Sequence, residues 1–138
     1  ASVSFISWVH YISYRFSPDY QKIEAAKKMI IDYENDPYGG DTPEETLKMF
    51  IDALKKGDTD LAARYFVISE QEKWNKNLNT LKKEKMLNEM VKDLSRQKEK
   101  KKNGTGFITF YIYNDSNQLS LSIQMIKLPN KKWKIKDF

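Results

Sequence analysis

Between Thr42 and Phe66 the chain marks the start, the buried face and the end of a helix, and this constrains its fold more than any other segment. Thr42 is a capping residue, Pro43 suits the first helical position, and Glu45 stands three residues after the cap, the spacing of a capping box. Leu47, Phe50, Ile51 and Leu54 recur at i, i+3, i+4 and i+7, one apolar stripe. Gly57 sits where a helix end wants a left-handed residue, and Asp58 or Thr59 then caps a second short helix carrying Leu61, Ala62, Tyr65 and Phe66. No reactive group stands out in this pair. The segment specifies a scaffold and says little about activity.

Composition narrows the chemistry further. A chain of 138 residues, 40% apolar and 31% charged, is long enough for one domain with a core and a short appendage. It has no cysteine, which excludes disulfides, a thiol nucleophile and cysteine-bound zinc. A single histidine, His10, argues against a histidine metal site or a catalytic triad. We therefore expect no metal and no cofactor. The net charge of +5 is local: residues 69–103 hold eleven Lys/Arg and six Asp/Glu, leaving thirteen of each elsewhere. The basic segment 82–102 ends in Lys98, Glu99, Lys100, Lys101 and Lys102. It fits an anion-binding face, and equally a solvated helix end whose lysines complement the macrodipole.

The amino-terminal segment has another character. From Val3 to Phe16 there is neither lysine nor acid, and Trp8, Tyr11 and Tyr14 precede Arg15. That order matches the interfacial end of a membrane span, with amphipathic rings at headgroup depth, although the stretch is too short to span alone. It is expected to be the exit end of an anchor whose earlier part precedes Ala1; the alternative is an arm packed on the domain or on a partner. Ser17, Pro18 and Asp19 start another helix, with Tyr20, Ile23, Ala26, Met29, Ile30 and Tyr33 on its stripe. The turn formers of residues 35–41 close it, so residues 1–36 read as anchor and stalk and residues 42–138 as the main domain.

Ser69 to Glu72 repeats the capping-box spacing, with Trp74, Leu78 and Leu81 on the buried side. Lys82 to Lys85 interrupts that helix, and Met86, Leu87, Met90, Val91 and Leu94 form a further stripe. Asn103 to Gly106 ends the helical pattern. Phe107 to Tyr113 is apolar on both faces, as in a central strand; residues 119–125 alternate leucine, isoleucine and methionine with polar residues. In the last strand Trp133 and Ile135 alternate with Lys132, Lys134 and Lys136, which predicts lysines facing water. The fold class is therefore α+β: helices followed by a curved, three-stranded antiparallel meander, with an amino-terminal helical extension. The sheet should curl around the first domain helix, bringing Phe50 against Phe110 or Tyr111.

The string from Thr42 to Thr46, Phe50 to Asp58, and Ala62 to Phe66 resembles the opening of the nuclear transport factor two-like, cone-shaped α+β domains, a cystatin-like architecture. Lys132 to Phe138 resembles their last strand. The similarity spans residues 42–138 and is nearest to bacterial, membrane-anchored envelope members of unknown function. It implies a cone that in some relatives is an isomerase, cyclase or dehydratase site using an Asp base or a His–Asp pair. None of those residues carries over: His10 lies outside the domain, Asp115 is in a turn and Asp137 lies near the chain end. No catalytic residue is expected.

The resemblance and the residues together favour a non-catalytic, extracytoplasmic, membrane-anchored binding or assembly module. Its aromatics (Phe50, Tyr65, Trp74, Phe110, Tyr111, Tyr113 and Trp133) either line a pocket or fill the core. Lys98, Lys100, Lys101 and Lys102 are candidate anion contacts, for a phospholipid headgroup sooner than nucleic acid, because no aromatics are interleaved with them. Trp8, Tyr11, Tyr14 and Arg15 are the candidate membrane contacts, and the open sheet of this architecture suggests a homo-oligomer or a protein partner. An enzyme remains the third alternative.

Overall fold

Thr42 opens the main unit as its spacing requires. Its hydroxyl accepts the Glu45 N–H at 3.2 Å, and Pro43 stands at the first position of a helix over Pro43–Lys55. Glu45 reaches back, but to the Asp41 N–H at 2.9 Å, so the box closes one residue earlier than its simplest form. The computed structural model describes residues 5–138 and divides them into two compact units, one ending at Asp36 and the other spanning Pro37–Phe138. The first unit holds α1 (Phe5–Arg15) and α2 (Pro18–Glu34). Ser17 caps α2 by accepting the Tyr20 N–H at 3.2 Å, and α2 buries none of its own residues.

The second unit runs α3 (Pro43–Lys55), α4 (Thr59–Ala63), α5 (Ile68–Lys83) and α6 (Leu87–Leu94), then β1 (Lys98–Lys102), β2 (Phe107–Tyr113), β3 (Leu119–Lys127) and β4 (Trp133–Asp137). It is α+β, with the helices first and a curved, unclosed antiparallel sheet in the order β1-β2-β3-β4. Gly57 follows α3 at φ +69°, a conformation costly for any side chain, and Asp58 caps α4 through the Leu61 N–H at 3.1 Å. Phe50 and Leu54 from α3, Phe66, Leu78, Leu94, and Ile112, Ile123 and Ile135 from three strands form the dry centre.

Several expectations need correcting. The sheet has four strands, not three. Residues 98–102 are its first strand and neither a helix end nor part of a helix, because Asn103 to Gly106 turns them back onto β2. Ser69 does not cap α5: the helix starts two residues earlier, with Val67 at the capping position and no side-chain cap. Tyr65 and Phe66 lie beyond α4, in a segment that docks on the outer edge of β4. There Ile135 donates its N–H to the Tyr65 carbonyl and Val67 donates to the Ile135 carbonyl, both at 2.9 Å. Lys134, beside that edge, is fully buried with its amine on the Arg64 carbonyl, and does not face water as the alternation implied. Phe50 pairs edge-to-face with Phe66 at 5.4 Å and tilts against Phe138 at 5.8 Å, in place of the anticipated rings of Phe110 or Tyr111.

Gly39 and Gly40 lock the start of the unit to its end. The Gly40 carbonyl accepts the Trp133 N–H at 3.0 Å, while the Thr46 hydroxyl accepts the Gly40 N–H and donates to the Trp133 carbonyl, each at 2.9 Å. Gly39 is at φ +123°, and a Cβ there would come within 2.6 Å of the Trp133 carbonyl oxygen. No helix among the described residues is long and apolar enough to cross a membrane.

Candidate functional site

Strand register decides which side chains share a face, because antiparallel partners project to the same side. Lys100 stands opposite Phe110, itself opposite Ile123; Lys102 stands opposite Ile108, and the row continues through Met125 to Ile135. These partners are core residues, so alternate lysines of β1 project to the core face of the sheet. Lys127 pairs with Trp133 on that same face, one row further toward the strand ends. Opposite Lys127 on β2 lies Gly106, whose carbonyl accepts the Lys127 N–H at 2.9 Å. A glycine there adds no side chain to the row.

The result is an open groove of about 920 Å³ that continues the core face beyond the packed centre. Lys100 and Lys102 stand on one side, and Lys127, Leu128, Pro129 and Trp133 on the other. Ile108 contributes apolar surface, Gly104 to Gly106 border one end, and Pro43 reaches in from α3. No histidine or carboxylate lines it. Glu44, just behind Pro43, holds Lys100 at 2.8 Å. Partial burial pushes the Glu44 carboxyl up, but the hydrogen bond and charge of Lys100, with a backbone hydrogen bond, outweigh this and hold it below its usual range. Lys102 and Lys127 pair with no carboxylate among the described residues.

The four candidate lysines are thus divided by the strand's alternation. Lys100 and Lys102 line the groove. Lys98 shares their face, but its ammonium turns to the Arg96 carbonyl at 3.0 Å, and burial lowers its pKa. Lys101 pairs with Thr109 on the outer face. Lys127 completes the basic walls and was missed by sequence reasoning. Its signal was present as the polar end of an otherwise apolar alternation, residues 121–127, but strand pairing was needed to bring it to β1.

The candidate aromatics also separate. Phe50 and Phe110 are core, as is Tyr65, whose hydroxyl is pushed up first by burial and then by Tyr38, Asp52 and Asp58. Trp74 stacks on Phe66 at 4.9 Å and meets Phe138 edge-on. Tyr111 and Tyr113 lie half-buried on β2, with Tyr113 donating to Glu99 Oε2 at 3.2 Å. Trp133 is the candidate ring that lines the groove. Of the proposed membrane contacts, Tyr14 is exposed and packs edge-on against Tyr20 at 5.2 Å, and Arg15 is exposed. Val3 and the side chains of Trp8 and Tyr11 lie outside the described residues. No cluster of His, Asp or Glu suited to a metal ion occurs among the described residues. No protein-family model, curated protein or solved structure matches this chain.

Proposed function

We propose that the 37–138 unit is a non-catalytic binding module of the nuclear transport factor two-like kind, and that its ligand is an anion held in the lysine-walled groove beside Trp133. The observation that carries this reading is the pair Lys102 and Lys127. Neither pairs with a carboxylate among the described residues, and they flank a stretch bordered by Gly106, with an indole and Ile108 beside them. Ammonium groups supply the charge recognition, and the Trp133 ring and Ile108 supply apolar contact. Among the described residues the lining holds neither a carboxylate nor a histidine, the commonest general bases, which supports binding over catalysis.

The amino-terminal unit fits a tether in the same scheme. It would hold the module at an extracytoplasmic membrane surface, with Tyr14 and Arg15 at headgroup level. At 11 residues, α1 itself is about 16 Å long at 1.5 Å per residue, roughly half a bilayer core.

Octyl phosphate below its micellar concentration tests the groove. Amide shifts should move at Gly104, Gly106, Lys127 and the Trp133 indole, and the response should weaken as salt rises. Shifts confined to other regions, or no shifts at all, would overturn the assignment. A second reading, self-association, rests on Phe107, which is 41% exposed at the start of β2. Light scattering that shows a dimer lost on Phe107→Ser would favour it.

A further inference from the structure

The groove is bounded by a strand whose other side is open. β1 pairs only with β2 and ends the sheet. Hydrogen-bond alternation fixes where its backbone groups point. Asn103 donates its N–H to Phe107 at 2.9 Å, so Lys101 and Glu99, in step with it, pair with β2, and the N–H and C=O groups of Lys98, Lys100 and Lys102 point to the open edge. The same Lys100 and Lys102 send their side chains into the groove. Backbone and side chain of alternate residues therefore present one continuous surface: a row of donors and acceptors along the edge, with ammonium groups on one face of it.

We propose that this edge takes up an extended acidic segment of another protein as an antiparallel fifth strand, its acids falling opposite Lys100 and Lys102. The proposal rests on the groove reading above and names its ligand class. A peptide strand matches because, at the strand's own spacing, it offers donors to the outward carbonyls as well as acceptors to the outward N–H groups. A phosphate offers acceptors and would meet those carbonyls as like charge. Residues opposite Lys100 and Lys102 project to the lysine face, at a spacing of about 7 Å along the strand, so a carboxylate is called for at every second position. Positions between them face Glu99 and Lys101, whose charges cancel, and need none. Lys100 already meets Glu44 at 2.8 Å, so an acid opposite it shares or displaces that contact, while Lys102 has no carboxylate partner among the described residues. A second copy of this β1 is disfavoured, since lysines would face lysines across the pair.

The test uses a short acetylated and amidated peptide of alternating Thr and Glu, titrated into the full chain. Binding should slow hydrogen exchange at the Lys100 and Lys102 amides, which point outward. N-methylation of the Glu amides, which face β1, should weaken binding about tenfold or more, while N-methylation of the Thr amides should leave it within about threefold. Equal binding of both methylated peptides and the parent would overturn the strand and leave only charge attraction. Failure of the peptide while octyl phosphate still shifts Gly106 and Lys127 would sink this proposal and leave the groove reading standing. Failure of both probes would remove both.

Discussion

Lys134 ends its side chain on the backbone carbonyl of Arg64, 2.7 Å away, with the Tyr38 ring centred 5.9 Å from its ammonium. The residue is 0% exposed. A buried amine of this kind ties the segment after α4 to β4, and removing it leaves the Arg64 carbonyl with only a long contact, 3.5 Å, from Gln71 Nε2. Lys134→Met keeps the stem and should cost about 1–3 kcal/mol in denaturant unfolding. Lys134→Ala, which also leaves a void, should cost more. An unchanged midpoint for both would mean the contact contributes nothing.

Phe50 is fully buried where α3 meets Phe66 and Phe138. Phe50→Ala should cost about 3–5 kcal/mol, the range for truncating a large core ring. Chemical denaturation with an unchanged m-value reads this directly, and a loss below about 1 kcal/mol would contradict the packing.

Trp74 offers the opposite test. Its ring stacks on Phe66 at 4.9 Å, yet its buried Nε1 has no acceptor. Trp74→Phe removes an unsatisfied N–H along with some area, and these changes offset, so the loss should stay within about 1 kcal/mol. Trp74→Ala keeps no compensation and should cost about 3–5 kcal/mol.

Gly39 should resist substitution for two reasons acting together: its φ of +123° and the 2.6 Å approach of any Cβ to the Trp133 carbonyl oxygen. Gly39→Ala should destabilise by at least about 2 kcal/mol, measured by thermal unfolding.

Glu44 gives a pH dependence with a definite sign. Its carboxyl is held below its ordinary value in the folded chain, so the contact with Lys100 stabilises above the unfolded value and is lost as pH falls through the lower, folded one. Both side chains are partly exposed, at 53% and 40%, which limits the pair to about 0.2–1 kcal/mol. The gap in unfolding midpoint between the native chain and Glu44→Gln should be present at about pH 7 and should shrink and close as pH falls through the lowered, folded value. A gap that persists in acid would assign the difference to something other than this carboxylate.

How far the sequence could be read follows from the range of the forces involved. The starts of α2, α3 and α4 were legible because capping is local: Ser17, Thr42 and Asp58 each act within three residues. The order of helices before strands was legible from periodicity. Strand β1 was not, because its residues Lys98–Lys102 show no apolar alternation; an edge strand exposed to water needs none. Lys134 was misread for a related reason. Alternation reports the two faces of a strand, but it cannot report that distant groups, the Arg64 carbonyl and the Tyr38 ring, meet the outward side chain. The groove depends on the same long-range pairing, since Lys102 and Lys127 meet only across the sheet.

The central claim is that Lys102 and Lys127 together hold an anionic ligand beside Trp133. Calorimetric titration of octyl phosphate into the full chain and into the Lys102→Gln, Lys127→Gln double variant measures it most directly. Losing two charge-assisted contacts should weaken binding by about tenfold or more, with unfolding midpoints matched within about 0.5 kcal/mol because both side chains are exposed. Equal affinity in the two proteins would contradict the claim.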